Sequence, residues 1–221
     1  MHILFRESGG LEEAATPQDL GQTPADLVVL SLSDSDLAAF AEGWRRDGGL
    51  PSLRLAQIAR LMHPVSVDQY VDATLSGARA VLVRLIGGAD YWRHGVMQLQ
   101  DLARRRGIRL ALLPGDGTED RRLRELSTVD GALWDRLNRL CAQGGHEAAG
   151  AALRLLAGMP ATDPAPLPQV GWLDGPPTGE WIAIPFYRSW MLAGDIAPIR
   201  ALIAAFAERG LDARGIFLPS L

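Results

Sequence analysis

The sequence contains no lysine and only one cysteine. All 22 basic residues among the 221 are arginine, and 26 acidic residues give a net charge of −4. Without lysine there is no Gly-Lys-Ser/Thr phosphate-binding loop and no lysine Schiff base, so the common route of ATP hydrolysis is excluded. The acidic balance also argues against nucleic-acid binding, which needs clustered positive charge.

Secretion and membrane signals are also missing. Cys141 has no partner for an internal disulfide, which favours the reducing cytoplasm. No apolar run reaches the about 18 residues that a membrane span requires. The first ten residues, MHILFRESGG, lack the basic start and the hydrophobic stretch of a secretion signal. We therefore expect a cytoplasmic protein without a membrane contact.

Recognisable catalytic patterns are absent as well. The four histidines show no i, i+4 pairing, and the lone cysteine gives no metal-ligand spacing. There is no Gly-x-Ser-x-Gly elbow and no convincing pair of catalytic carboxylates. The sequence therefore predicts no catalytic residue and no metal site of its own.

What the sequence does contain is an alternation of apolar runs and amphipathic stretches. Continuous apolar runs of this length predict strands that are buried on both faces of a parallel sheet. The predicted strands are residues 2–5, 27–32, 52–55, 80–86 and 108–113, and the predicted helices are residues 37–46, 67–75, 91–106, 130–143 and 147–157. We predict a five-stranded, doubly wound α/β domain with extra C-terminal helices.

The composition changes after residue 158. Six of the 14 prolines lie between residues 159 and 180, together with three glycines, which is typical of a linker. A strand at 181–187, a helix at 196–208 and a strand at 216–218 then predict one βαβ unit. We assign residues 1–158 to a flavodoxin- or Rossmann-like head domain, 159–180 to a Pro/Gly-rich linker and 181–221 to the start of an incomplete second α/β domain.

Candidate binding residues follow the fourth predicted strand. Arg84 interrupts an apolar strand, and a buried guanidinium must find either an anion or a carboxylate such as Asp34 or Asp116. Tyr91 and Trp92 add flat apolar surface with polar tips. That surface suits a planar ligand, packing within the domain or a facing domain.

Several strings together carry a family resemblance. The strings are TPADLVVLS (23–31), SLRLA (52–56), HPVSVDQY (63–70), RLIGGADYW (84–92), LPGD (113–116), LST (126–128), FYR (186–188) and the closing LPSL. In their order and spacing they resemble the N-terminal region of the large subunits of aerobic, ATP-dependent cobaltochelatases, to which magnesium chelatase large subunits are related. The resemblance runs from residue 1 to residue 221.

The resemblance implies a function for the whole subunit. Such a subunit takes part in the insertion of cobalt(II) into the tetrapyrrole hydrogenobyrinic acid a,c-diamide in cobalamin biosynthesis, a ligase reaction. Its implied partners are the motor subunits CobS and CobT, which use ATP and magnesium. We expect this segment to have a binding or structural role, to bind no cofactor itself and to be inactive in isolation.

Four residues within the matching strings are candidates for contact with the tetrapyrrole or with the rest of the subunit: His63, Arg84, Tyr91 and Trp92. Arginine forks and flat aromatic rings suit a ligand that carries many carboxylate and amide groups. Two other functions remain open. One is a stand-alone flavodoxin-like binding or regulatory module, and the other is the head of a magnesium chelatase subunit that acts on protoporphyrin.

Overall fold

The chain folds around two β-sheets that follow one another in sequence. The computed structural model describes residues 16–116 and 119–219. The first sheet has four parallel strands in the order β2-β1-β3-β4, with β1 at Leu27–Ser31, β2 at Leu53–Gln57, β3 at Ala80–Leu85 and β4 at Arg109–Pro114. The predicted α/β fold with a parallel sheet is confirmed in these four strands. The first predicted strand, residues 2–5, lies outside the described residues.

Helices cover both faces of this sheet. They are α1 at Asp34–Asp47, α2 at Pro64–Ala73, α3 at Arg93–Arg106, α4 at Arg121–Leu126, α5 at Gly131–Gln143 and α6 at His146–Leu156. The side chains of β3 point alternately to the two faces of the sheet. Val81 and Val83 pack in the core with α2 and α3 on one face. Ala80 and Leu82 pack instead in the core with α1, α5 and α6. Arg84 follows the parity of Leu82 and therefore lies on the α1 side.

Two helices begin earlier than their apolar periodicity predicts. Ser33 caps α1, since its Oγ accepts a hydrogen bond from the Asp36 amide at 3.2 Å. At α2 the cap is His63, whose Nδ1 accepts from the Val65 amide at 3.2 Å. Ser66, which directly precedes the predicted helix at residues 67–75, lies inside the helix. The first turn of α1 is polar, and the apolar Val65 in the first turn of α2 is exposed, so the apolar pattern of the buried faces places both starts too late.

The outer edge of β4 is closed by the Leu-Ser-Thr string. The Leu110 amide donates to Thr128 Oγ1 at 2.8 Å, and the Leu112 amide donates to Ser127 Oγ at 2.9 Å. The Thr128 amide in turn donates to the Leu110 carbonyl at 2.8 Å. These groups replace a neighbouring strand, so the backbone of this buried edge is hydrogen-bonded without another strand.

The second sheet is smaller and mixed. Its strands are β5 at Gly171–Trp172, β6 at Ile182–Tyr187 and β7 at Ala213–Leu218, in the order β5-β7-β6. β6 and β7 are parallel, and α7 (Arg188–Ala193) and α8 (Ala197–Ala207) connect them. β5 runs antiparallel to β7, although it lies within the segment predicted as linker. The domain boundaries at residues 158 and 180 stay a prediction.

The proline-rich segment is held against the helices by long polar side chains. Arg154 donates to the Pro160 carbonyl at 2.9 Å, and Gln143 donates to the Pro164 carbonyl at 3.1 Å. Arg188 of α7 donates to the Pro168 carbonyl at 2.9 Å. Since proline has no amide hydrogen, this segment offers mostly acceptors, and guanidinium and amide donors satisfy them. The segment is therefore fixed to the protein rather than a free spacer.

Candidate functional site

A buried ion pair lies at the carboxyl end of the parallel sheet. Arg84 on β3 is only 6% exposed, and its Nη1 donates to Asp36 Oδ1 at 2.5 Å. Its Nη2 donates to the Gly115 carbonyl after β4 at 3.1 Å. Ser31, the last residue of β1, donates to the other Asp36 oxygen at 2.9 Å. The pair therefore ties together the ends of three strands and the first turn of α1.

Two opposing contributions to the free energy of folding act in this ion pair. Removing both charges from water costs several kcal/mol for each ion, and mutual attraction with further hydrogen bonds must offset that cost. The Asp36 carboxylate has both of its oxygens engaged. No described residue accepts a hydrogen bond from Arg84 Nε, which is buried. The network is thus nearly but not fully satisfied.

A small cavity adjoins the ion pair. It has a volume of about 90 Å³ and lies between α1, α5 and α7, where Ser35, Cys141 and Ser189 line it together with Arg84. Burial raises the pKa of the Cys141 thiol from 9.0 to about 12, although nearby Arg84 opposes the shift. The thiol is therefore protonated at neutral pH and is not an activated nucleophile.

A wider groove separates α1 from α7. Its volume is about 550 Å³, and charged side chains on α1 line one wall while Trp190 and Asp195 line the other. Hydrogen bonds from Arg45 and Arg46 lower the pKa of Glu42 from 4.5 to about 2. Glu42 is therefore ionised and paired at neutral pH, so it is not a proton donor in this groove.

Tyr91 is the accessible aromatic residue of the RLIGGADYW string. Its side chain is 51% exposed beside Ile86, which is also exposed. Gly87 and Gly88 have φ values of +85° and +74°, a backbone region that side chains disfavour. This double turn brings Tyr91 against the backbone of Gly87. We call Ile86, Gly87, Gly88 and Tyr91 the β3-loop surface.

Trp92 and His63 have structural partners. Trp92 is 4% exposed in the core beside α2 and α3, and its Nε1 donates to the Leu61 carbonyl at 2.7 Å. Its ring is thus covered by the protein and unavailable to a ligand in this structure. His63 serves as the cap of α2. The bond from Trp92 to Leu61 joins the loop that follows β3 to the turn that follows β2.

The four predicted residues do not form one cluster. Arg84 and Trp92 pack on opposite faces of the sheet, while Tyr91 is exposed. Sequence reasoning missed Asp36, which directly precedes the predicted helix at residues 37–46, as the partner of Arg84. Asp34, one of the carboxylates expected at Arg84, accepts instead from Gln57 Nε2 at 3.0 Å. One sequence signal could have found Asp36. It lies three residues after Ser33, in the first helical turn after β1, and a side chain there can reach the carboxyl ends of the strands.

Within residues 16–116 and 119–219, no three or more histidine, cysteine, aspartate or glutamate side chains are grouped so that they could hold a metal ion. In the same part of the chain, no helix is both long and apolar enough to cross a membrane. The site thus consists of a buried arginine–carboxylate network, a small cavity beside it and an exposed aromatic loop. These features can bind and orient a ligand or another protein segment.

The protein is an α/β protein with a parallel head sheet followed by a small mixed sheet, and its fold is similar to that of a solved cobaltochelatase subunit. The catalytic subunit of cobaltochelatase from Mycobacterium tuberculosis superimposes with a TM-score of 0.72 at 26% identity, over 88% of this chain and 16% of that chain. No family model matches the sequence.

Two curated relatives are each named aerobic cobaltochelatase subunit CobN. The protein from Sinorhizobium sp is 36% identical over the whole of this chain and 20% of its own length. The protein from Pseudomonas aeruginosa is 36% identical over the whole chain and 19% of its own length. The chain thus spans about one fifth of the curated relatives it matches, at their N-terminal end. Its predicted resemblance to the N-terminal region of CobN is confirmed.

Proposed function

We propose that this chain serves as the N-terminal part of a cobaltochelatase large subunit, which inserts cobalt(II) into hydrogenobyrinic acid a,c-diamide. The observation that carries this proposal is the 36% identity over the whole chain with two CobN subunits. Both relatives carry the cobalt enzyme's name, which favours the corrinoid precursor over protoporphyrin. The same proposal assigns the protein to the cytoplasm.

In this proposal the chain has a binding or structural role, while other parts of the complex catalyse cobalt insertion. The motor subunits CobS and CobT use ATP and magnesium, which agrees with a chain that has no lysine for a phosphate-binding loop. Cobalt(II) is cargo of the whole complex. The described residues offer a buried arginine–carboxylate ion pair and a protonated thiol rather than an acid–base pair, which supports a binding role.

We assign the tetrapyrrole contact to the β3-loop surface. Tyr91 presents a flat ring with a polar tip, and its side chain is 51% exposed, so a planar ligand can stack on it. Trp92 anchors the end of this loop through the Leu61 carbonyl, and Arg84 ties the end of β3 to the Gly115 carbonyl after β4. Both are positioning residues in this proposal, whereas His63 has the structural role of capping α2.

The test uses a chimeric subunit in which this chain replaces the N-terminal fifth of the Pseudomonas aeruginosa relative, assembled with its motor subunits. Active cobalt insertion by the chimera is the expected result. Tyr91→Ala should then weaken affinity for hydrogenobyrinic acid a,c-diamide about tenfold, the effect of losing roughly one aromatic contact. Tyr91→Phe should retain most of the affinity.

Met97→Ala is the matched control, because Met97 is another exposed apolar residue, on α3. An active chimera with unchanged affinity in Tyr91→Ala would contradict the substrate contact and leave the loop as a surface for another domain. An inactive chimera would contradict the subunit assignment and favour a stand-alone binding module. Tighter binding of protoporphyrin than of the corrinoid precursor would favour the magnesium branch.

A further inference from the structure

The two faces of the second sheet differ in their cover. On one face Ile184, Phe186 and Phe217 are buried with Ile199 of α8. Because side chains alternate along a strand, the intervening residues lie on the other face. The register pairs Trp172 with Ile216, Ile216 with Pro185 and Leu218 with Tyr187. Arg214, which pairs with Ala183, also lies on this face, at one end, where it forms an ion pair with Asp212. We call the six apolar residues on this face the open face: Trp172, Ala183, Pro185, Tyr187, Ile216 and Leu218.

The open face is apolar and accessible. Tyr187 is 42% exposed, Ala183 and Pro185 are exposed, and the other three members are half-buried. None of the six belongs to a core cluster formed by the described residues. The first sheet of the same protein is covered by helices on both faces, as parallel strands generally are. A contiguous apolar patch on a sheet face is typical of an interaction surface.

The outer edge of β6 is less suited to docking than the open face is. The Ile182 amide donates to the Asp212 carbonyl at 2.8 Å, so residues 182, 184 and 186 direct their backbone groups toward β7. Pro185 therefore lies on the outward side, where it has no amide hydrogen to offer a further strand. Proline at this position protects an edge strand against strand addition.

We infer that the open face packs against a layer of helix in the long cobaltochelatase subunits. This helical layer is contributed by a later part of the same polypeptide. This inference rests on the proposed function. The curated relatives extend well beyond the fifth of their length that this chain spans, so such a subunit has ample chain for the layer.

The structure favours a helix over a further strand. The connection from β6 to β7 carries α7 and α8 over the covered face. Both neighbours of β7 are already present, and Pro185 protects the outer edge of β6 against another strand. An amphipathic helix buries the six apolar side chains of the open face without using that edge.

The inference is tested by thiol labelling. Ile216→Cys reports the open face, and Leu202→Cys on α8, 44% exposed, is the matched control. The natural Cys141 is buried, so the parent chain supplies the background rate. Maleimide labelling is compared between the 221-residue chain and the chimeric subunit. We expect labelling of the open-face variant to slow at least about tenfold in the chimera, because modification then requires local opening. Labelling of the control should not change.

Equal labelling of the open-face variant in both proteins would overturn the inference. Protection already present in the short chain and increasing with its concentration would assign the face to a second copy, and would also overturn it. Leu218→Cys provides a second reporter if the first variant melts at a lower temperature than its parent. Cobalt insertion by the unmodified chimera is measured separately, so a failure of the proposed function is distinguishable from a failure of this inference.

Discussion

Arg84 and Asp36 are 48 residues apart in the sequence, and their side chains meet at 2.5 Å beside the carboxyl ends of the parallel strands. Arg84 comes from the middle of the sheet and Asp36 from the first turn of α1. The contact therefore fixes the helix to the strand that runs beside β1. It also places the cavity next to Cys141 between the first sheet's helices and α7.

Breaking this pair from one side should be strongly destabilising. Asp36→Ala leaves the Arg84 guanidinium buried without its counter-ion, and we expect a loss of about 3–5 kcal/mol in the free energy of unfolding. Urea denaturation followed by circular dichroism measures it. The double variant Asp36→Ala/Arg84→Met should recover much of the loss, since no charge then remains buried. A loss no larger than that of Asp34→Ala, which lies on the same helix turn, would refute the role assigned to the pair.

The hydroxyl of Thr128 should matter because it replaces a strand partner. Thr128→Val keeps the side-chain volume and removes the acceptor of the Leu110 amide, leaving a buried donor unsatisfied. We expect a loss of about 1–3 kcal/mol in stability. The exposed Thr162 provides the matched control, and Thr162→Val should change stability by at most about 0.5 kcal/mol. Equal effects of the two substitutions would show that the edge of β4 does not depend on this hydroxyl.

Gly43 should not tolerate even a methyl group. A Cβ at this position would lie 2.5 Å from the His146 carbonyl oxygen and 2.7 Å from the Gly150 amide nitrogen, both backbone atoms of α6. Alanine is normally the better helix former by about 1 kcal/mol. We expect Gly43→Ala to destabilise nevertheless by about 1–3 kcal/mol, because the helices must separate.

The control for that substitution is Ala41→Gly at an exposed position of the same helix, which should cost only the intrinsic helix propensity, about 1 kcal/mol. Thermal unfolding compares the two variants. Greater stability of the Gly43→Ala protein would mean that α1 and α6 move apart easily, contrary to the contact described.

Stability should fall in alkaline solution partly through Cys141. Its thiol has a pKa of about 12 in the folded protein and an ordinary value of 9.0 when unfolded. Because the folded-state pKa is raised, the contribution is complete below pH 9 and is lost as the pH rises toward 12. Urea unfolding at several pH values from 8 to 11 should show a shallower decline in Cys141→Ala than in the parent. Parallel declines would indicate that the thiol ionises equally in both states.

The strand and helix pattern was predictable because it depends on neighbouring residues. Continuous apolar runs such as the one around Leu82 mark a doubly buried strand, and four of the five predicted strands form the first sheet. The exact starts of α1 and α2 were not predictable from periodicity, because the first turn of α1 is polar and the apolar Val65 in the first turn of α2 is exposed. The short β5 within a proline-rich segment has too few residues to show a pattern at all.

For the candidate site too, some features were predictable from the sequence and others were not. The sequence by itself determined that Arg84 is buried and needs an acceptor, that Tyr91 follows a glycine turn, and that the chain resembles CobN. Only the tertiary structure decided that Asp36 is the acceptor, that Trp92 lies in the core while Tyr91 stays exposed, and that Thr128 closes the edge of β4. Residue type and local spacing fix burial and backbone shape. The packing of helices and strands decides which residues distant in the sequence come into contact. Close packing selects one partner among several residues of the same chemical type.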